Sequence, residues 1–159
     1  MRVRAGQLDA STMWHDFAGD LPQGAPRAGE GGLADTTAWH RLYWQGAVFW
    51  LAAEIEIDRK TQGQRSLHDA LCRYARAGSE PGDWSAERAF TLMDDALGQP
   101  ILLELYRKAS QSGIDRDPKQ LLAELGVVRS RDDVRFSAEA PAAALRVRMT
   151  QKSPRACSR

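Results

Sequence analysis

One long segment of the chain is apolar on nearly all sides. Its apolar positions fall on two helical stripes, Leu42, Gly46, Phe49, Trp50, Ala53 and Ile57 on the first and Trp44, Val48, Leu51 and Ile55 on the second. A helix that is apolar around most of its girth has to be surrounded by other elements. We therefore predict the central helix of a bundle. It begins near Asp35, Thr36 or Thr37, any of which could cap it, and ends near Lys60, before Gly63.

Four shorter helices follow, each with a recognisable start or stop. They are predicted between Ser66 and Gly78, Ser85 and Gly98, Pro100 and Gly113, and Asp117 and Gly126. On the first of them, the spacing predicts one buried face made of Leu67, Ala70, Leu71 and Tyr74. On the second, it predicts that Glu87, Arg88, Asp94 and Asp95 face outward.

The remaining segments carry weaker patterns. Trp14 and Phe17 are at helical spacing and predict a short helix that leans on the body or on something absent. The stretch from Gly19 to Asp35 is dense in glycine and proline and reads as a loop. Two apolar pieces, Val127-Val128 and Val134-Arg135-Phe136, predict a hairpin or an extended flap. The alanine-rich stretch 138–145 could be helical after Pro141, and a solvated basic tail is expected to carry Arg146, Arg148, Lys152, Arg155 and Arg159.

Together these patterns predict an all-α fold, a bundle of four to five helices around a central buried helix, with a small extended flap and loose termini. Three parts are expected along the chain. Residues 1–36 form an N-terminal segment that is loop-rich and partly disordered, 37–128 the helical domain, and 129–159 the flap and the basic tail.

Composition narrows the classes of function. The chain has 159 residues and a net charge of +1, which gives no reason to expect nucleic acid as a partner. Glu54 and Glu56 interrupt the best apolar run, so no membrane span is predicted. No signal peptide is predicted from the N-terminal residues, and the product as written is expected in the cytoplasm. Cys72 and Cys157 are interpreted as free thiols.

Candidate chemistry within the chain is sparse. The three histidines, His15, His40 and His68, are widely spaced, and none belongs to an H-E-x-x-H pair. No cysteine has a histidine in a suggestive relation in the sequence. Three carboxylate pairs are interpreted as solvated helix faces and turns, namely Glu54/Glu56, Asp94/Asp95 and Asp132/Asp133. No metal ligand and no cofactor-binding residue is predicted in this chain.

Residues 39–128 nevertheless carry a recognisable combination of motifs. These are Tyr43-Trp44-Gln45-Gly46-Ala47 at the head of the apolar helix, Thr61-Gln62-Gly63 in a charged turn, Ser66-Leu67-His68-Asp69 at the next helix start, and the closing run from Asp117 to Val127. The combination resembles the C-terminal helical part of the glycyl aminopeptidase family of zinc metallopeptidases. His68 stands where that pattern has an acidic residue. The motifs are mostly structural, and the resemblance covers over half of the chain.

The resemblance implies a catalytic role for Tyr43. In this family the tyrosine of Tyr-x-x-Gly points at the metal centre, where its hydroxyl stabilises the oxyanion formed during peptide hydrolysis. Trp39 and His40 could line the same cleft. The alternative is that Tyr43 is an amphipathic core residue whose hydroxyl finds a partner at the surface.

The family's zinc ligands and general base lie on the N-terminal side of this tyrosine, and their motifs are absent here. Zinc is therefore expected only together with an N-terminal catalytic half, which would be the partner of this chain. The first functional hypothesis is the C-terminal helical portion of such a metallopeptidase, inactive alone. The second is a stand-alone, non-enzymatic helical interaction module that uses the same cleft face to bind a protein partner. An exposed apolar patch around Trp14, Trp39 and Trp44 would fit either hypothesis.

Overall fold

The computed structural model of the protein describes residues 2–25, 39–77, 85–151 and 157, and within them the all-α prediction is confirmed. The helices are α1 (Ala10–Asp20), α2 (Trp39–Lys60), α3 (Leu67–Arg76), α4 (Ala86–Leu97), α5 (Ile101–Ser112), α6 (Pro118–Glu124) and α7 (Ala143–Thr150). Two short strands, β1 (Val127–Arg129) and β2 (Val134–Phe136), form the predicted hairpin. No helix in the described ranges is long and apolar enough to cross a membrane.

The long helix α2 is the centre of the bundle, as its apolar pattern predicts. One core cluster packs its residues Val48 and Leu51 against Trp14 of α1 and Leu121 of α6. A second cluster packs Ile57 against α3, α4 and α5. The predicted caps of α2, at residues 35–37, lie outside the described residues.

Part of the N-terminal segment forms regular secondary structure, although its glycine and proline content predicts a loop. Asp9 caps α1, which packs on the body, and Trp14 is almost completely buried. The loop predicted from Gly19 is wrong at its start, because α1 continues to Asp20 and Leu21–Gly24 form a 3₁₀ turn packed against α2. Proline is compatible with the first turn of such a helix, so the composition did not exclude it. Residues 26–35 of that predicted loop lie outside the described residues.

Three helices begin at the capping residues that the sequence predicts. Ser66 and Asp69 form a capping box at the start of α3, Ser85 caps α4, and Asp117 caps α6. Gly98 ends α4 in the left-handed conformation that glycine adopts without steric cost. The predicted stop of α3 at residue 78 lies outside the described residues.

The face predicted for α3 is partly wrong. Ala70 is buried as expected, but Leu71 and Tyr74 are exposed, whereas Cys72 is buried. The helix therefore buries a different side from the one that its aliphatic spacing predicts. The sulfur atom of Cys72 lies on that buried side.

The predicted basic tail is also wrong at its first two members. Helix α7 begins at Ala143 and continues to Thr150, so it contains both Arg146 and Arg148. The buried guanidinium of Arg146 donates hydrogen bonds to the carbonyls of Leu125, Gly126 and Ser137, which ties α7 to the hairpin. Arg148 pairs with Asp58 of α2. Lys152, Arg155 and Arg159 lie outside the described residues.

Candidate functional site

Tyr43 lies near the start of α2 and faces solvent. Its side chain is 70% exposed, and its ring meets the edge of the Trp44 ring at a centroid distance of 5.2 Å. Trp44 in turn contacts Phe17 of α1 at 6.3 Å. Tyr43 is therefore not a core residue, and its phenol is accessible from outside the chain.

Three residues of α2 lie on this side of the helix, which we call the open face: Trp39 and Tyr43, which are exposed, and Gly46, which is partly buried. They are spaced four and three residues apart and so lie along one side of the helix. Trp39 is 85% exposed. A Cβ added at Gly46 would meet no heavy atom of the described chain within 4 Å. The open face is thus a helix surface that the described part of the chain leaves uncovered.

A cavity of about 310 Å³ lies further along α2, between α2, α3 and α7. Its walls are mostly apolar and include Phe17, Trp50 and Leu71, while Glu54 and His68 supply polar atoms. Tyr43 is not among its lining residues. The structure therefore does not bring the predicted catalytic tyrosine and His68 together in this cavity.

Glu54 is not the solvated carboxylate that its pairing with Glu56 suggests. It is buried on α2 and accepts a hydrogen bond from the backbone N–H of Leu67 at 2.6 Å. Burial raises the pKa of the Glu54 carboxyl, and the nearby Asp58 carboxylate acts in the same direction. Its geometry assigns it a structural task, which is to hold the start of α3 against α2.

The sequence prediction is wrong for Asp94 in the same way. Predicted to face outward, it is buried and accepts hydrogen bonds from the backbone N–H groups of Leu102 and Leu103 at 2.8 and 3.0 Å. It therefore satisfies free donors at the start of α5. Burial raises the pKa of this carboxyl as well.

The other carboxylates of the three predicted pairs are at least partly exposed to solvent, as predicted. Asp95, Asp132 and Asp133 are exposed, the last two in the hairpin turn. Glu56 is only partly covered, and its hydrogen bonds to the Arg59 guanidinium lower the pKa of the carboxyl. These side chains are explained by surface ion pairs and solvent.

The two cysteines are not free thiols. Cys72 and Cys157 form a disulfide across 85 positions of sequence. The Nε2 atom of His68 lies 3.5 Å from the Cys72 sulfur, and one ligand atom from each of the three residues falls within 4.8 Å of the others. A histidine four residues before a cysteine on a predicted helix places both side chains on one face, and this spacing was the available clue.

The zinc centre of the resembled family does not fit the described residues. That centre needs two histidines and two glutamates, whereas the group that the described chain assembles contains one histidine and two cysteines. Tyr43 therefore has no metal-binding set of that kind beside it within the described ranges.

No protein-family model matches this chain, and comparison with curated proteins and with solved structures finds no match. The resemblance to the glycyl aminopeptidases, with the role it implies for Tyr43, stays a prediction.

Proposed function

We propose that this chain is the C-terminal helical portion of a glycyl-aminopeptidase-like zinc metallopeptidase and is not catalytic alone. In this proposal it supplies the Tyr43 phenol and part of the substrate cleft wall to an N-terminal catalytic half. The observation that carries the proposal is the exposure of the tyrosine of the Tyr-x-x-Gly motif. Both its tyrosine and its glycine lie on the open face.

The required chemistry sets two conditions on the tyrosine. Its O–H has to reach beyond its own chain, and it has to be held in place so that it donates a hydrogen bond where negative charge develops on the substrate oxygen. Exposure of 70% supports the first condition. The second is supported by the T-shaped contact between the Tyr43 and Trp44 rings and by Gln45 and Val48, which are buried on the opposite side of the helix.

Gly46 supports a close approach by the second body. A side chain at this position would project from the open face, one turn after the phenol, into space where the described chain has no atoms. Glycine there lets another backbone lie directly against α2. The metal, bound by the catalytic half, would polarise the peptide carbonyl and activate water.

The proposal is tested first by the gene. We expect the reading frame upstream of Met1 to continue and to encode an H-E-x-x-H motif and a later glutamate. A stop codon in that frame, together with a ribosome-binding site at Met1, would contradict it.

The second test uses the longer gene product. Tyr43→Phe removes only the hydroxyl, and we expect kcat to fall about 100- to 1,000-fold with little change in KM, as for loss of one oxyanion donor. Tyr74→Phe is the matched control, because Tyr74 is also exposed but lies on α3. Full activity of the Tyr43→Phe enzyme would rule out the catalytic role.

The isolated chain gives a third test. Purified with added zinc, it should not release glycine from glycyl peptides. Aminopeptidase activity that co-purifies with this chain would overturn the claim that it needs a catalytic half.

The second candidate is a stand-alone interaction module. Trp39 favours it, because a tryptophan that is 85% exposed is typical of a binding hot spot before its partner arrives. The patch differs from the one predicted, since Trp14 is buried in the core and Trp44 is half-buried against Phe17. This candidate gains support if the gene has a stop codon upstream while Trp39→Ala abolishes binding of a partner protein.

A further inference from the structure

A second feature of the structure lies at α3 and does not involve the open face. His68 and Cys72 are four residues apart on this helix, and the imidazole Nε2 lies 3.5 Å from the sulfur. Cys157 comes from the far end of the chain and brings its sulfur to the same place. Two sulfurs and one imidazole nitrogen thus lie within 4.8 Å of one another.

These atoms match the ligand preferences of zinc. Zn²⁺ is bound by cysteine thiolates and histidine nitrogens in tetrahedral sites, at about 2.3 Å to sulfur and about 2.0 Å to nitrogen. From these lengths, two ligand atoms on one tetrahedral edge are about 3.5 Å apart. The distance from His68 Nε2 to Cys72 Sγ is 3.5 Å. The pair on α3 therefore already has the spacing of two zinc ligands.

We propose that His68, Cys72 and Cys157 form a redox-controlled zinc site, which binds one Zn²⁺ when the Cys72–Cys157 disulfide is reduced and loses it when the disulfide forms. A dithiol reductant supplies the two electrons, and its own two thiols become a disulfide while Cys72 and Cys157 become thiols. Zinc then displaces one proton from each thiol and binds both thiolates and the neutral imidazole. In the reverse direction a small disulfide accepts two electrons and becomes two thiols, while Cys72 and Cys157 re-form their bond and release Zn²⁺. The three protein ligands leave the fourth position to water.

Two parts of the site are held in place before metal arrives. The capping box fixes the start of α3, since Asp69 accepts hydrogen bonds from the backbone N–H and the hydroxyl of Ser66 at 2.9 and 2.7 Å. Cys72 is buried at 5% exposure on the same helix. Ligands on a capped helix need little reorganisation to bind a metal.

The third ligand and the route to solvent make the site switchable. Cys157 is exposed, so a reductant can reach the disulfide. His68 lines the 310 Å³ cavity and a second one of about 320 Å³, which give water and metal a path to the imidazole. Oxidation and zinc binding exclude each other because both use the same two sulfur atoms.

The redox and metal state of the site also determines whether Cys157 is attached to α3. In the disulfide form and in the zinc form, Cys157 is bonded to or bridged with α3. In the reduced, metal-free form that link is broken. The site therefore couples the redox state and the zinc level to attachment of the C-terminal end.

The test is a metal titration of the full chain in its two redox states. Protein reduced with a phosphine, stripped of metal and titrated with Co²⁺ should develop the visible bands of tetrahedral cobalt and a thiolate charge-transfer band. Zinc should abolish both at one equivalent. The air-oxidised chain, with its disulfide verified by mass spectrometry, should show neither band and bind no zinc.

Variants assign the ligands. Cys157→Ser removes the disulfide together with one ligand, so it is compared with the reduced parent. It should weaken zinc binding by more than about 100-fold, beyond the 10- to 100-fold typical of second-sphere changes. His68→Gln should also weaken it and shift the cobalt bands. His15→Gln is the matched control, because His15 lies on α1 beside the hairpin and should leave zinc affinity unchanged.

Three results would overturn the proposal: reduced chain that binds less than one tenth of an equivalent of zinc, equal zinc binding by the oxidised chain, or Cys157→Ser that binds as tightly as the parent. Circular dichroism of each variant distinguishes a lost ligand from a lost fold.

Discussion

The two halves of α2 have opposite relations to the rest of the molecule. Within the C-terminal half, six of the seven residues from Leu51 to Ile57 are buried, and Ala53 and Ile57 have no exposed surface. In the N-terminal half, Trp39 and Tyr43 are 85% and 70% exposed. The same helix is thus a core element at one end and an uncovered surface at the other.

This contrast separates what the fold requires from what it does not. The buried half is explained by packing, because it joins both core clusters. The exposed half has two large aromatic side chains in contact with water, and their burial elsewhere would be worth about 1.5–3 kcal/mol each. Stability does not account for them, so the open face is where a function outside the chain is to be sought.

The largest expected effect comes from the buried half. Ile57→Ala should lower the free energy of unfolding by about 2–5 kcal/mol, because it leaves a cavity between α2 and its neighbours. Chemical denaturation measures it. Val147→Ala on α7 is the control, since that side chain is 45% exposed and should cost no more than about 1 kcal/mol. Equal losses would mean that the C-terminal half of α2 is not the centre of the core.

Glu54 tests the polar contact within the buried half. Glu54→Ala should cost about 1–3 kcal/mol, because the N–H of Leu67 loses its acceptor in a buried position. Glu56 lies two residues after Glu54. Glu56→Ala removes only surface ion pairs with Arg59 and Lys60 and should cost less than about 1 kcal/mol. A larger loss at Glu56 would reverse the roles assigned to these two carboxylates.

The pH dependence of stability gives a second test of Glu54. Its pKa in the folded state is raised above the ordinary value of 4.5, mainly by burial, with Asp58 adding to the shift and the hydrogen bond from the Leu67 N–H opposing it most strongly. The native state therefore holds this proton more tightly than the unfolded state does. The resulting stabilisation is complete below about pH 4.5 and is lost as the pH rises through the folded pKa. Relative to Glu54→Gln, the parent should lose stability as the pH rises above about 4.5, and parallel profiles would contradict this.

The corrections for Glu54 and Asp94 have a common physical cause. Ser66, Ser85 and Asp117 cap their own helices, so their roles could be read from neighbouring residues. Glu54 and Asp94 instead satisfy the starts of other helices, and helical periodicity only says that a charged residue belongs outside. Such roles depend on which helix ends meet in three dimensions.

The candidate sites show the same limit: local motifs could be read from the sequence, whereas contacts between distant segments could not. The motif around Tyr43 was visible in the sequence, but its exposure was not, because apolar periodicity predicts burial all around α2. The spacing of His68 and Cys72 was also visible. The contribution of Cys157 was not, since 85 positions separate the two cysteines and no local pattern links them.

Gly46 gives a smaller effect of opposite sign. In the isolated chain, Gly46→Ala should stabilise the protein by about 0.5–1 kcal/mol, because alanine is the better helix former and its methyl group meets no described atom. Gly24→Ala is the control and should destabilise, because its methyl group would overlap the Trp44 carbonyl. In the longer gene product, Gly46→Ala should instead lower peptidase activity, since it obstructs the close approach proposed there. Destabilisation of the isolated chain would show that Gly46 is already covered.

Trp39 should give the smallest effect on stability and the clearest separation of the two halves. Trp39→Ala should change the free energy of unfolding of the isolated chain by less than about 0.5 kcal/mol, as expected for a surface substitution without a buried partner. Buried Trp14 is the same residue type, and Trp14→Ala should cost about 3–5 kcal/mol. A loss above about 1 kcal/mol at Trp39 would mean that its ring packs within the same chain, because an indole in water contributes little to folding. The open face would then be part of the fold, and neither the catalytic half nor a protein partner would be needed to explain it.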